Sequence, residues 1–310
     1  MLLFQYIYLA NRHIAGSKMA EPTLTQQVNA VLATLTSDIK NHKLEIPSPP
    51  DLLIKLREVA ANENSTIDDI VAVVKHDPHI SGRLIKVANC ALFGARQHVT
   101  SVKAAVSRLG LSKVQNLIIG LTIAQSMMQA KTLGLKEYFE TIWQQSNRVA
   151  AISSVLALRK TKIDPEKALL AGMVHNIGTL PLVLRLHRIP ELQKNQKVLQ
   201  MVADVVIPKL YASAGELVMK SWNFPAEITS IALSHRESQR EASDEINLDD
   251  IVLIAHQLSK LTDYTKFNGD DSSLLSAPVF KLFWNDQEHA EEELISFHEE
   301  IDQMMQVMSN

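Results

Sequence analysis

The sequence has few of the residues that build covalently cross-linked or turn-rich folds. Its single cysteine, Cys90, cannot form an internal disulfide, which fits a reducing compartment. The neighbours Asn89 and Ala91–Phe93 favour a packed thiol over a nucleophile. Only 10 glycines and 11 prolines occur in 310 residues. A β fold with many tight turns is therefore disfavoured, and long helices are favoured.

Strong charge of one sign is also missing. The net charge is −3 and the isoelectric point is about 6.4, so the chain has no general attraction to polyphosphate backbones. Hydrophobic residues make up 46% of the chain and charged residues 21%, which is typical of a globular protein. We therefore expect no nucleic-acid partner.

Long hydrophobic runs are absent from the start of the chain as well. The apolar segment Met1–Ala10 is interrupted by Gln5 and is shorter than the roughly 20 residues that cross a bilayer. It also lacks the basic segment of a signal peptide. Because Met19 offers an alternative start, residues 1–23 are interpreted as an extension that is disordered or a start-site artefact. We expect a cytoplasmic protein without a membrane partner.

Helical periodicity is what the chain has in abundance. Apolar residues recur at spacings of three and four, and Thr66, Asp77 before Pro78, and Ser101 are typical residues at helix starts. Gly110 is typical of a helix end. Helices are predicted at about 24–39, 52–59, 67–74, 78–88, 101–109, 112–128, 138–160, 165–175, 209–221, 225–235, 248–262 and 287–308.

These patterns predict an all-α fold, since no strand-like alternation lasts beyond a few residues. Gly134 interrupts the pattern between two helical blocks, which places a soft boundary near residue 135. We therefore expect an N-terminal helical subdomain over 24–135 and a second subdomain over 136–310 that includes the C-terminal helix. The polar segments 237–247 and 268–273 are predicted to be loops.

Two sequence blocks, taken together, resemble a known family. The first is Asp77–Asn89 followed by Val102–Gly110. The second runs from Trp143 through His175-Asn176 to Ser221–Pro225 and Ser234-His235. In this order the blocks are similar to those of the HD-related output domain, HDOD. This family comprises all-α bacterial signalling modules related to the HD-type metal-dependent phosphohydrolases, and the resemblance covers about residues 30–265.

The resemblance implies both an architecture and a site. It implies an N-terminal helical block packed on a degenerate HD-like core of five helices. In the HD phosphohydrolases, histidines, a His-Asp pair and a late aspartate hold one or two metal ions. The matching positions of this chain, which we expect to line a vestigial metal or ligand cleft, are Gln145, His175, Asn176, Tyr211, His235 and His256.

Asn176 is the position that argues most strongly against catalysis. An aspartate after His175 would supply negative charge to a divalent cation, whereas Asn176 supplies only a neutral carbonyl oxygen. Gln145 and Tyr211 are likewise neutral and poor ligands. Hydrolysis of a phosphate ester by this architecture needs a cation to stabilise the leaving oxygen and activate water. We therefore expect no catalytic residue and no cofactor.

An adventitious divalent metal stays open as an alternative. Three histidines can hold zinc, and the residues that would do so are His175, His235 and His256. The opposite interpretation treats each histidine as structural. His175 would be a core residue, His235 a partly protonated cap at a helix C-terminus, and His256 an exposed side chain of its helix.

The function that the resemblance implies is a non-catalytic module of signal transduction. Its partner would be a signalling protein, a small nucleotide-like ligand in the vestigial cleft, or both. The alternative is an enzyme, a metal-dependent phosphohydrolase that acts on a nucleotide or another phosphoester.

Two further patterns have competing interpretations. Residues 66–89 have the outline of a helix-turn-helix, but the second helix offers only Arg83 and Lys86 to phosphates, so packing is favoured over DNA binding. The predicted C-terminal helix carries a methionine-rich apolar face. Packing on its own domain is favoured there over an adaptable partner surface.

Overall fold

The computed structural model describes residues 23–62, 64–90, 93, 97–129, 135–241, 245–267 and 272–309. Within these ranges the chain is built from helices and contains no strand. The predicted all-α architecture is therefore confirmed. The proposed extension is outside the described residues except for Thr23, and so are positions 242–244 and 268–271 of the two predicted loops.

The described residues of the first half of the chain form six helices. Their bounds are α1 Leu24–Lys40, α2 Asp51–Ala61, α3 Ile67–Val74, α4 Pro78–Ala88, α5 Val102–Leu109 and α6 Leu111–Gln129. The predicted caps explain the starts. Thr66 forms a capping box with Asp69, and the Asp77 carboxylate accepts hydrogen bonds from the backbone N–H groups of His79 and Ile80.

The second half contains the long helices that surround the histidines. The bounds are α7 Lys136–Lys160, α8 Pro165–Val174, α9 Thr179–His187, α10 Pro190–Gln193, α11 Gln196–Ser221, α12 Ala226–Thr229, α13 Ile231–Ser234, α14 Leu248–Ser259, α15 Ser272–Leu275, α16 Phe280–Phe283 and α17 Gln287–Ser309.

Helix α11 corrects one sequence prediction. The predicted start near residue 209 is wrong, because the helix begins at Gln196, where the Asn195 side chain caps it, and passes through Pro208. Proline lacks the N–H that the interior of a helix normally uses. Helix α11 nevertheless continues through Pro208 without this N–H group. The Pro208 carbonyl accepts a hydrogen bond of 2.9 Å from Nη1 of Arg236.

The described residues form two hydrophobic cores that hold the helices together. The larger core joins side chains from α2–α8 to side chains of α11, α14 and α17. The smaller core is formed mainly by α1, α9 and α11. Helix α7 lies at the centre and packs against α8, α14 and α17. Since α8 and α14 both lie along α7, residues at their ends can meet.

Arg83 and most apolar residues of α17 pack against other parts of the molecule, whereas Lys86 is exposed. The Arg83 guanidinium lies over the Trp143 ring, 5.7 Å from its centroid, so that Arg83 is partly packed. In α17, Leu294, Ile301 and Met304 are fully buried. Among the described residues one segment, Pro165–His187, is long and apolar enough to span a bilayer, but 89% of its most apolar window is buried inside the protein.

Candidate functional site

Three histidines from three separate helical segments converge in the interior. The ring centroid of His175 is 5.1 Å from that of His235 and 5.2 Å from that of His256, and the last two centroids are 4.9 Å apart. One ring nitrogen from each residue lies within 4.8 Å of the others. We call His175, His235 and His256 the histidine cluster.

His175 follows the last residue of α8 and is fully buried. Its helix can approach α7 closely because position 172 is glycine: a Cβ there would lie 2.6 Å from the Cα of Ala150. The Nδ1 atom of His175 is 2.6 Å from the Gly172 carbonyl oxygen. Since only an N–H can donate to a carbonyl, Nδ1 carries the proton, and Nε2 presents its lone pair.

His235 occupies the corresponding position after the short helix α13. Its Nδ1–H donates to the Ile231 carbonyl at 2.6 Å, and the Tyr211 hydroxyl, which is 2.8 Å from Nε2, donates to that nitrogen. The predicted contact with a helix C-terminus is therefore present. The predicted partial protonation is wrong, because both ring nitrogens are used in the neutral form and burial lowers the pKa of His235 to about 3.

His256 lies in the last turn of α14 and points inward. The alternative of an exposed side chain is wrong, because only 5% of His256 is exposed. Its Nδ1 has no hydrogen-bond partner among the described residues. The buried carboxylate of the same helix, Asp250, closes the N-terminal cap and pairs with Arg240.

The neutral residues predicted for the cleft lie beside the histidine cluster. Gln145, Asn176 and Tyr211 line one cavity of about 270 Å³ together with His175 and His256. The Asn176 side chain donates from Nδ2 to the Ser146 hydroxyl at 2.8 Å. Its Oδ1 is buried without a partner among the described residues. The structure thus brings together all six residues that the sequence assigned to the cleft.

The cavity also has lining residues that the sequence analysis did not assign to it. Two of them are the cations Arg236 and Lys260. Lys260 lies four residues after His256, which is one helical turn, so helical spacing could have indicated it. The remaining lining residues are Tyr138, Ile142, Thr179 and Pro208.

The electrostatics of the cluster favour neutral imidazoles. Burial lowers the pKa of His175 to about 4, and it lowers that of His256 well below the usual value for histidine. The positive charges of Lys260 and Arg236 lower the pKa of His256 further. Burial also raises the pKa of Tyr211 to about 12, so its hydroxyl stays protonated and can donate.

This set of donors does not fit the metal centre of an HD phosphohydrolase. A hard or intermediate divalent cation in such a site needs carboxylate oxygens, and no described residue lining the cavity carries one. The lone pair of His235 Nε2 is engaged by Tyr211, and Arg236 and Lys260 would repel a cation. Only the convergence of the three imidazole nitrogens favours a metal, as a single ion.

The fold and this histidine pocket define a class: all-α proteins of HD type. The chain belongs to the HDOD domain family, whose model matches residues 46–238. This confirms the resemblance found in the sequence.

Similar proteins support the fold. A structure from Shewanella amazonensis SB2B, named a candidate metal-dependent phosphohydrolase, is 22% identical, with a TM-score of 0.77 over 91% of this chain and 99% of its own. A structure from Marinobacter aquaeolei VT8, named a candidate signal transduction protein, is 22% identical, with a TM-score of 0.53 over 92% of this chain and 67% of its own.

A curated relative from Treponema pallidum (strain Nichols), named only as an uncharacterized protein, is 24% identical over 261 residues. The alignment covers 81% of this chain and 49% of the relative, so the chain spans about half the length of that protein.

Proposed function

We propose that the protein is a regulatory HDOD module without hydrolase activity, which binds a small ligand in the cavity beside the histidine cluster. The observation that supports this proposal is the charge of the cavity. Its described lining combines neutral imidazole, amide and hydroxyl groups with two cations, Arg236 and Lys260. Such a lining suits an organic ligand better than the paired metal ions of a phosphohydrolase.

The proposed setting is a signalling pathway, in which the liganded state is read by a partner protein. The described surface favours a protein partner over nucleic acid. Lys86 is exposed, but the neighbouring Arg83 packs on Trp143, which leaves few cations on α4 for phosphate contacts. A cytoplasmic location without membrane contact belongs to the same proposal.

Phosphohydrolase activity is the second candidate, and the observation in its favour is the convergence of the three imidazole nitrogens. Metal analysis of the purified protein, combined with turnover assays on generic phosphoesters in manganese, nickel or zinc, separates the two functions. We expect neither a stoichiometric metal nor turnover, because the carboxylates that hold and neutralise the ions are missing from the described lining.

The control for this assay compares two histidine substitutions. His175→Ala removes a ring of the cluster, while His79→Ala changes an exposed histidine on α4. Thermal melting confirms that both variants are folded. Turnover that survives His79→Ala and disappears in a folded His175→Ala variant would establish the enzyme and contradict the regulatory function.

A further inference from the structure

The two ends of the cavity offer opposite chemistry to a ligand. At the solvent side lie Arg236 and Lys260, which are both exposed side chains. At the inner side lie His175, Asn176 and Thr179, of which 0%, 4% and 1% are exposed. The outer end is therefore cationic, and the inner end is neutral and polar.

The outer end is organised to receive an anion. Arg236 is held by its hydrogen bond to the Pro208 carbonyl, and its guanidinium lies over the Tyr211 ring at 5.3 Å. Its remaining N–H groups form the planar fork that binds phosphate in pairs. Lys260 donates to the Gln257 side chain at 3.2 Å, which leaves further ammonium protons for a ligand.

The two cations lie close enough to oppose each other. Desolvation lowers the pKa of Lys260, and the positive charge of Arg236 lowers it further. No carboxylate among the described lining residues offsets this repulsion. Asp204 influences the Tyr138 hydroxyl, but it accepts a hydrogen bond from Gln200 and does not line the cavity. An anion between Arg236 and Lys260 would supply the missing charge.

The inner end presents hydrogen-bond acceptors. His175 has its only proton on Nδ1, so its Nε2 can only accept. Asn176 uses Nδ2 on Ser146, and its Oδ1 can likewise only accept. Both atoms, together with the Thr179 hydroxyl, are buried without a partner among the described residues. A buried acceptor left unpaired is costly, so the site favours a ligand that brings donors.

We infer that the cavity binds a small phosphate monoester of a polyhydroxylated compound, with the phosphate between Arg236 and Lys260 and the hydroxyl groups on His175, Asn176 and Thr179. This inference rests on the proposed function, because it assigns a ligand class to the same cavity. A volume of about 270 Å³ is at the small end for ligand sites. It suits a pentose phosphate better than a dinucleotide.

Isothermal titration calorimetry with three probes tests the inference: ribose 5-phosphate, inorganic phosphate and ribose. We expect ribose 5-phosphate to bind at least about tenfold more tightly than either of the other two, because it alone engages both ends of the cavity. Higher salt should weaken the binding of both phosphate-containing probes.

Substitutions at each end separate the two contributions. Arg236→Ala and Lys260→Ala should each weaken ribose 5-phosphate by about tenfold to a hundredfold through loss of a charge-assisted contact. The matched control is Lys209→Ala, which removes an exposed charge of α11 that does not line the cavity.

Thr179→Val tests the inner end of the cavity. It should weaken the binding of ribose 5-phosphate but leave the binding of inorganic phosphate unchanged, since it removes only the inner hydroxyl.

Three results would overturn the inference. They are no binding of ribose 5-phosphate, binding no tighter than that of inorganic phosphate, and equal binding by the wild-type protein and the folded Arg236→Ala variant. The proposed regulatory function fails differently. Metal-dependent release of phosphate from ribose 5-phosphate would contradict the regulatory function, but it would agree with the inferred ligand class. Absence of both binding and turnover would contradict only the inferred ligand class.

Discussion

Glu166 places a carboxylate inside the protein at the start of α8. Only 1% of its side chain is exposed, Lys113 approaches it at 3.9 Å, and Oε2 has no hydrogen-bond partner among the described residues. Burial raises the pKa of Glu166, and this effect outweighs the attraction of Lys113. The folded state therefore holds this proton more tightly than the unfolded state does.

Glu166→Gln should stabilise the protein at neutral pH. In the wild-type chain the free energy of unfolding falls as the pH rises from the unfolded pKa of about 4.3 through the raised pKa of the folded state, because the buried carboxyl must then ionise. The variant keeps this free energy of unfolding, because glutamine does not ionise. Its melting temperature should exceed that of wild type at pH 7, and the difference should vanish towards pH 4.

The control for this prediction is Glu227→Gln, which changes an exposed acid paired with Lys167. An exposed pair contributes little, so this variant should melt close to wild type at both pH values. A lower melting temperature for Glu166→Gln at pH 7 would show that the contact with Lys113 dominates instead.

Several site residues could be predicted from the sequence, because two of its blocks resemble those of a known family. His175, Asn176, Tyr211 and His235 follow from that resemblance. The neutral state of His235 could not be predicted, since it depends on burial and on the Tyr211 hydroxyl. The spacing from His256 could have indicated that Lys260 faces the cavity. Its position near Arg236 could not be predicted, because it depends on where α14 ends in space.

At the scale of the elements, α9 and α11 can cross closely because residue 178, just before α9, is a glycine without a side chain. A Cβ at Gly178 would lie 2.0 Å from the Tyr211 carbonyl oxygen and 2.2 Å from the Gly215 nitrogen. Both are backbone atoms, which cannot rotate away as a side chain can. The close approach of Gly178 to α11 also fixes the distance between Tyr211 and the segment that carries His175.

Gly178→Ala should therefore destabilise the protein by about 3 kcal/mol or more through overpacking. Gly82→Ala is the matched control, because a Cβ at this helical position meets no atom within 4 Å. That change should stabilise the protein by roughly 0.5–1 kcal/mol, since alanine loses less backbone entropy in a helix. Denaturant unfolding of both variants measures the difference, and similar midpoints would contradict the proposed clash.

Elements with strong local signals were predictable, and those without were not. The caps at Thr66, Asp77 and Ser101 mark their helices as predicted. Helix α11 was predicted too short because Pro208 resembles a helix boundary. The short helices α15 and α16 give too few residues for a periodic pattern, so their structure depends on the tertiary packing around them.

At the scale of the whole molecule, α17 completes the larger core although it comes last in the chain. Its buried side chains pack towards α7, and Arg159 and Lys160 of α7 pair with Glu300 and Glu293. The apolar residues of α17 that are at most 8% exposed include Leu294, Phe297, Ile301, Met304 and Met308. This packing favours the prediction of a helix that covers its own domain.

Removal of residues 287–310 should leave a chain that does not fold cooperatively. Burial of each large apolar side chain contributes about 1.5–3 kcal/mol, so the loss of five is comparable with the whole stability of a typical protein. Circular dichroism melting and size-exclusion chromatography measure the effect. Ile295→Ser, at a position that is 57% exposed, should behave as wild type, and a cooperative melt of the truncated chain would contradict the prediction.

The periodicity and the caps of the sequence predicted the all-α class. They could not predict that one hydrophobic core contains helices from both predicted subdomains. The boundary near residue 135 stays a prediction. Helix α1, from the first predicted subdomain, packs with α9 and α11 of the second. Contacts between positions this far apart depend on the path of the chain in space, which a periodic pattern of apolar residues does not encode.

Helix α7 is a single rod of 25 residues. Tyr138 and Gln145 in its first half line the ligand cavity, and Arg159 and Lys160 at its far end hold the C-terminal helix. At about 1.5 Å per residue, these two attachments are separated by up to roughly 30 Å along one stiff axis. A tilt of this helix would displace the cavity residues and the ion pairs with α17 together. A movement at one of these two sites would therefore be transmitted to the other.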